Sequence, residues 1–106
     1  MIVVDSAVWI SYLRKQDTAA VQRLRGIDDP DDILVGDLIL LEVLQGARDE
    51  CHAATIERHL RQFEVDGMLD DHIAVHAARN DRKLRELGVT IRKTADVIIG
   101  TFCMEG

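Results

Sequence analysis

The chain has 106 residues, 13 of them basic and 19 acidic, for a formal net charge of −6. A hydrophobic content of 47% with a single proline excludes a disordered segment, and a chain of this length buries roughly 60% or more of its unfolded surface, which fits one domain with a real core. No apolar run reaches the ~20 residues of a membrane span, no basic stretch precedes an apolar one as in a secretory signal, and Cys51 and Cys103 are too few to staple a domain. A reduced, cytoplasmic setting with no membrane contact is the expectation.

Ile2, Val3 and Val4 open the chain as a short β-branched run, the pattern of a strand buried on both faces. The run stops at Asp5, and Ser6 is placed to cap the helix that Val8, Trp9, Tyr12 and Leu13 predict over residues 7–14. A second helix is expected from Thr18 to Arg25, stopped by Gly26. The acidic turn Asp28-Asp29-Pro30-Asp31-Asp32 leads into a second buried strand, Ile33-Leu34-Val35. Gly36 ends that strand, and Asp37 caps a helix from Leu38 to Ala47. Two strand-to-helix junctions, Asp5-Ser6 and Gly36-Asp37, are the repeating grammar of a parallel α/β sheet. A carboxylate at the end of the first strand sits where open α/β sheets place their ligands.

Farther on, residues 50–62 predict a helix with Ala53, Ile56, Leu60 and Phe63 at helical spacing. Glu64-Val65-Asp66 reads as a short edge strand broken by Gly67. Asp70 or Asp71 caps a long helix carrying Ile73, Ala77, Leu84 and Leu87 on one face, with Gly88 as its stop. Val89-Thr90-Ile91 reads as extended, and Thr94 starts a last helix through Ala95, Val97, Ile98, Ile99 and Phe102.

Two more acids lie in apolar surroundings: Glu42 inside Leu38-Ile39-Leu40-Leu41-Glu42-Val43-Leu44, and Asp96 inside Ala95-Asp96-Val97-Ile98-Ile99. An ionised carboxylate buried without a partner is costly, so such acids are usually paired or bound to metal. No Lys or Arg stands three or four residues from Glu42, whereas Asp96 has Arg92 at i−4. Taken singly, each acid reads as a boundary residue facing solvent; three of them in apolar elements favour a shared site. Two like charges about 4 Å apart repel by on the order of 4 kcal/mol at an effective dielectric near ~20, so a convergent cluster requires a cation or a basic partner. Oxygen-only ligands point to Mg²⁺ or Mn²⁺, with Ca²⁺ possible, and away from zinc. Gly100, one turn past Asp96, leaves that flank open to a ligand. The −6 charge gives nucleic acid little non-specific attraction, so a nucleic-acid substrate would need that cation or a local basic patch.

Val3-Val4-Asp5-Ser6, Glu42 in its Leu-rich helix and the stretch Ile91-Arg92-Lys93-Thr94-Ala95-Asp96-Val97-Ile98-Ile99-Gly100 resemble the PIN-domain ribonucleases. Within them the chain is most similar to the VapC toxins of bacterial toxin–antitoxin pairs, and the order of the acids matches across essentially its whole length. The resemblance implies a three-layer α/β/α fold around a central parallel sheet and cleavage of RNA with Mg²⁺ or Mn²⁺. It implies that Asp5 and Asp96 are metal ligands, that Glu42 binds metal directly or through water, and that Ser6 and Thr94 hold water or orient the acids. It further implies a homodimer, silenced by a VapB-type antitoxin whose basic C-terminal segment enters the acidic site; the −6 charge favours such an inhibitor.

One departure from the family pattern stands out. The family carries a fourth acid at the end of another central strand, whereas only ten residues follow Asp96 and Glu105 falls at the end of a helix. The expectation is a single PIN-like domain over 1–106 that is short at its C-terminus and lacks the last strand or strands. Val97, Ile98 and Phe102 would then be under-covered, favouring dimerisation or strand exchange. The alternative is a PIN-like interaction module that binds antitoxin or itself without cutting RNA. A receiver-like phosphate-accepting pocket is weaker, since it needs a central-strand Asp and a late Lys after a strand.

His72 and His76 stand at i, i+4 and could share a zinc ion on one helix face. With no third ligand at useful spacing, they read as a solvated pair. Arg79, Arg82, Lys83 and Arg85 read as a charged helix face, and Trp9 and Tyr12 as core or dimer-contact aromatics.

Overall fold

The computed structural model describes residues 2–105. They form an α/β fold with a three-stranded parallel sheet in the order β1-β2-β3 and six α-helices. Strand β1 is Ile2–Val3, β2 is Ile33–Gly36 and β3 is Glu64–Asp66; helices α1 to α6 span Ser6–Leu13, Ala19–Arg25, Asp37–Gln45, Glu50–Leu60, Asp71–Glu86 and Thr94–Glu105. The packing divides into two compact units, one running through Asp66 and one starting at Gly67.

In the first unit β2 occupies the middle of the sheet. Its partners are Ile2↔Ile33 and Val3↔Leu34 on one side, and Leu34↔Glu64, Val35↔Val65 and Gly36↔Asp66 on the other. All four β2 residues are buried, as an uninterrupted apolar run in a central parallel strand should be. Each large side chain buried this way contributes about 1.5–3 kcal/mol. β1 departs from the expectation of burial on both faces: Ile2 is 46% exposed, Val3 is half-buried, and Val4 is buried beyond the end of the strand. The reason is position, because β1 pairs with β2 on one side only.

The core of this unit forms around Trp9, which is fully buried in α1. Its ring meets Tyr12 edge-on at 5.8 Å and Phe63 at 5.1 Å, the offset geometries that aromatic quadrupoles favour. Val21, Ile39, Leu60 and Val35 complete the fully enclosed side chains. Helix limits follow the caps. Thr18 and Asp49 accept hydrogen bonds from the Val21 and His52 amides and so start α2 and α4. Asp37 stands one residue inside α3, its Oδ1 accepting from the Leu38 amide at 2.8 Å, and Gly36 holds the cap position with extended backbone.

The second unit is a helix pair. Asp70 caps α5 through the Ile73 amide at 2.8 Å. At the other end Gly88 adopts φ +82, a conformation costly for any residue with a Cβ. The Gly88 amide donates to Arg85 and the Val89 amide to Leu84, a Schellman closure. Leu87 therefore lies outside the helix and is 79% exposed, off the buried face that the spacing predicts. Residues 89–91 form no strand. α5 and α6 pack together through Ile73, Ala77 and Val97, and Asn80 Nδ2 donates to the buried Thr101 hydroxyl at 3.0 Å.

Candidate functional site

The parallel register places the carboxyl ends of the three strands along one edge of the sheet, where α/β proteins bind ligands. Asp5 follows β1, Asp37 follows β2 and Asp66 ends β3; all three are exposed. Sequence reasoning singled out Asp5 alone. Asp37 and Asp66 emerge from the register, which sets Asp66 opposite Gly36.

Asp5, and not Ser6, caps α1. Its backbone is extended, its carbonyl accepts from the Val8 and Trp9 amides, and its Oδ1 accepts from the Ser6 amide at 2.9 Å. The cap anchors the carboxylate by one oxygen and leaves the other without a protein partner among the described residues. Ser6 is the first helical residue and is half-buried. Asp5 also borders a groove of about 400 Å³ lined by Val3, Val4, Val8 and Arg23.

Glu42 stands in the middle of α3, where Ile39 and Val43 are buried and lock the helix against its neighbours. The glutamate is half-buried, and its Oε1 is enclosed with no hydrogen-bond partner among the described residues. An enclosed carboxylate oxygen with no donor costs the desolvation free energy that a bonded one recovers, about 1–3 kcal/mol or more for a charged group.

In the second unit, Thr94 and Asp96 occupy the first turn of α6, where a negative side chain faces the positive end of the helix dipole. Asp96 is exposed, and Arg92, its possible i−4 partner, lies ahead of the helix and forms no ion pair with it. Thr94 borders a groove of about 370 Å³ with Asp81, Ala77 and Ile98. The structure thus joins Asp5 to Ser6 in one helix start and Thr94 to Asp96 in another, with Glu42 on α3.

The same unit corrects the reading of His72 and His76 as a solvated pair. Glu105, at the end of α6, brings Oε2 to 3.2 Å from His72 Nε2 and Oε1 to 3.5 Å from His76 Nδ1. The three form a potential metal-binding group. The pairing follows from helix register: one turn back from Asn80 is His76, and one turn on from its partner Thr101 is Glu105.

The sequence profile of the PIN domain matches residues 2–106. VapC ribonuclease Mb1587 of Mycobacterium bovis and ribonuclease VapC11 of Mycobacterium tuberculosis are each 28% identical to this chain over 109 residues, covering 98% of it and 79% of their own length. An 87-residue stretch of the GTPase Era of Mycolicibacterium smegmatis is 29% identical, covering 70% of this chain and 29% of that protein. All three lysines of this chain follow arginine, and none completes a glycine-lysine phosphate loop.

Proposed function

Because this chain belongs to the PIN-domain family, we propose that it is the toxin of a toxin–antitoxin pair, a VapC-like endoribonuclease that cuts RNA phosphodiester bonds. In this reading residues 1–106 act as one PIN-like domain, with Asp5, Glu42 and Asp96 as the ligands of Mg²⁺ or Mn²⁺. The observation that carries it is the enclosed, unpartnered Oε1 of Glu42 on an otherwise apolar stretch of helix. An all-oxygen donor set suits a hard cation of that class. When bound, the metal lowers the pKa of an attacking water and offsets charge on the scissile phosphate.

The protein's own part is positioning. Asp5 is held by its bond to the Ser6 amide, so its second oxygen is presented in a fixed direction. Glu42 projects from a helix that Ile39 and Val43 keep in place. Ser6 and Thr94 stand beside Asp5 and Asp96 in chain and supply hydroxyls that orient these acids or hold water. Arg23, on the groove that Asp5 borders, offers a positive charge to a phosphate on a chain whose net charge is −6. The same negative charge suits a VapB-type antitoxin whose basic segment competes with RNA for the acids. The reading includes a homodimer working in the cytoplasm, and no helix of the structure is long and apolar enough to cross a membrane.

The test is cleavage of a labelled RNA by the purified chain with Mg²⁺ or Mn²⁺ and with a chelator. Cleavage should require metal. Asp5→Asn and Asp96→Asn should each lower it by more than the ~10–100-fold that losing a residue behind a metal ligand costs. Cleavage that survives both substitutions would sink the assignment. A metal-dependent rise in melting temperature without any cleavage would favour the non-cleaving interaction module instead.

A further inference from the structure

We propose that the α5–α6 helix pair carries a second metal site, built from His72, His76 and Glu105 and suited to zinc. It shares no residue with the proposed RNA-cleaving site. The two imidazoles sit one helical turn apart on α5, their ring centroids separated by 4.4 Å. The buried neighbours Ile73 and Ala77 fix that face of the helix, so both rings are held on one side of α5 without a ligand. Glu105 reaches across from α6 and directs one carboxylate oxygen at each ring, at 3.2 Å and 3.5 Å.

Those spacings match the metal. Ligands about 2.1 Å from a tetrahedral Zn²⁺ lie about 3.4 Å from one another. The candidate donor atoms of the three residues all fall within 4.8 Å of each other. Two neutral imidazoles and a carboxylate form a donor set that favours zinc over Mg²⁺, which prefers oxygen. Three protein ligands leave the fourth position to water. The residues between the histidines are Ile73, Ala74 and Val75, so the site lacks the glutamate that serves as general base in hydrolytic helices of this spacing. Its role is structural: zinc clasps the start of α5 to the end of α6, in a unit whose helix pair buries few large side chains.

The competing account is a plain hydrogen bond from an imidazole N–H to the carboxylate, which needs no metal. The two are separated by titrating ZnCl₂ into the chelator-stripped 106-residue chain by calorimetry, with excess Mg²⁺ present to occupy the proposed oxygen site. Co²⁺ serves as a spectroscopic stand-in. We expect one equivalent of Zn²⁺ to bind, Co²⁺ to show the intense visible absorption of tetrahedral coordination, and the melting temperature to rise. Zn²⁺ at a hundredfold excess over its dissociation constant shifts the folding equilibrium about 100-fold. His72→Gln, His76→Ala and Glu105→Gln should each weaken binding at least tenfold, whereas Asp5→Asn and Glu42→Gln should leave it unchanged. His72 is 61% exposed, so its substitution tests the site even if another variant misfolds. Absence of Zn²⁺ binding would overturn the proposal, as would binding unaltered in His72→Gln or lost in Glu42→Gln.

Discussion

The two units of this chain achieve stability by different means. The first places a central strand among helices, and it fully encloses Trp9, Val21, Val35, Ile39 and Leu60. The second has two principal helices, and two helices can bury only the stripe that each turns toward the other. Among the described residues its largest fully enclosed side chains are Met68 and Thr101, while Leu69, Val75 and Met104 remain more than half exposed, at 51%, 57% and 74%. A parallel sheet lets a short chain enclose side chains on several sides at once. A helix pair instead depends on caps, a polar bond across its seam and whatever clasps its ends.

The largest test of this contrast is core truncation. Trp9→Ala should cost about 3–5 kcal/mol, and Ile73→Ala, in the thinner core, about 2 kcal/mol, both read from chemical denaturation. Equal losses would break the comparison. Next is the seam of the helix pair. Thr101 is 2% exposed and accepts from Asn80, so Asn80→Ala should cost about 1–2 kcal/mol by stranding the hydroxyl, with Thr101→Val in the same background restoring part of the loss. Helix ends come third. Asp70→Ala should cost about 1 kcal/mol through the lost cap. Gly88→Ala should cost about 1–2 kcal/mol from backbone alone, because a Cβ there would meet nothing within 4 Å. The smallest effect belongs to the exposed Arg61–Glu57 pair on α4: despite its 2.6 Å contact, Glu57→Ala should change stability by less than about 0.5 kcal/mol.

Much of this architecture is legible in the sequence because local chemistry sets it. Thr18, Asp49, Asp70 and Gly88 mark helix ends by what their side chains, or the lack of one, do to nearby amides. Ile33 to Val35 read as a buried strand because the whole run is apolar. The structure departs from the sequence pattern where a residue's role depends on distant chain. Val89 to Ile91 are β-branched in pattern, yet they pair with no strand among the described residues and stay irregular. Ile2 has the residue type of a buried strand, yet only the sheet order shows that β1 pairs on one side. Ser6 lost the cap to Asp5, whose carboxylate reaches the first free amide.

The candidate sites divide in the same way. Glu42 was recognisable as an acid without a neighbour in an apolar helix, and the structure adds that one of its oxygens is enclosed and unpartnered. Glu105 was not recognisable as a partner of His72, 33 residues away, since that meeting depends on the register between α5 and α6. Asp66 was hidden likewise, its place on the sheet edge set by pairing with β2.

The proposed function rests on Glu42 being held for a hard cation rather than for the fold. The most direct measurement is Mn²⁺ binding to the wild-type chain and to Glu42→Gln, followed calorimetrically with the melting temperature of each metal-free protein recorded alongside. Binding should weaken at least tenfold in Glu42→Gln while the metal-free variant melts no lower than the wild type, because the substitution removes a charge that lacks a partner. Mn²⁺ binding equal in the two proteins, or a variant that melts well below the wild type without metal, would contradict the account.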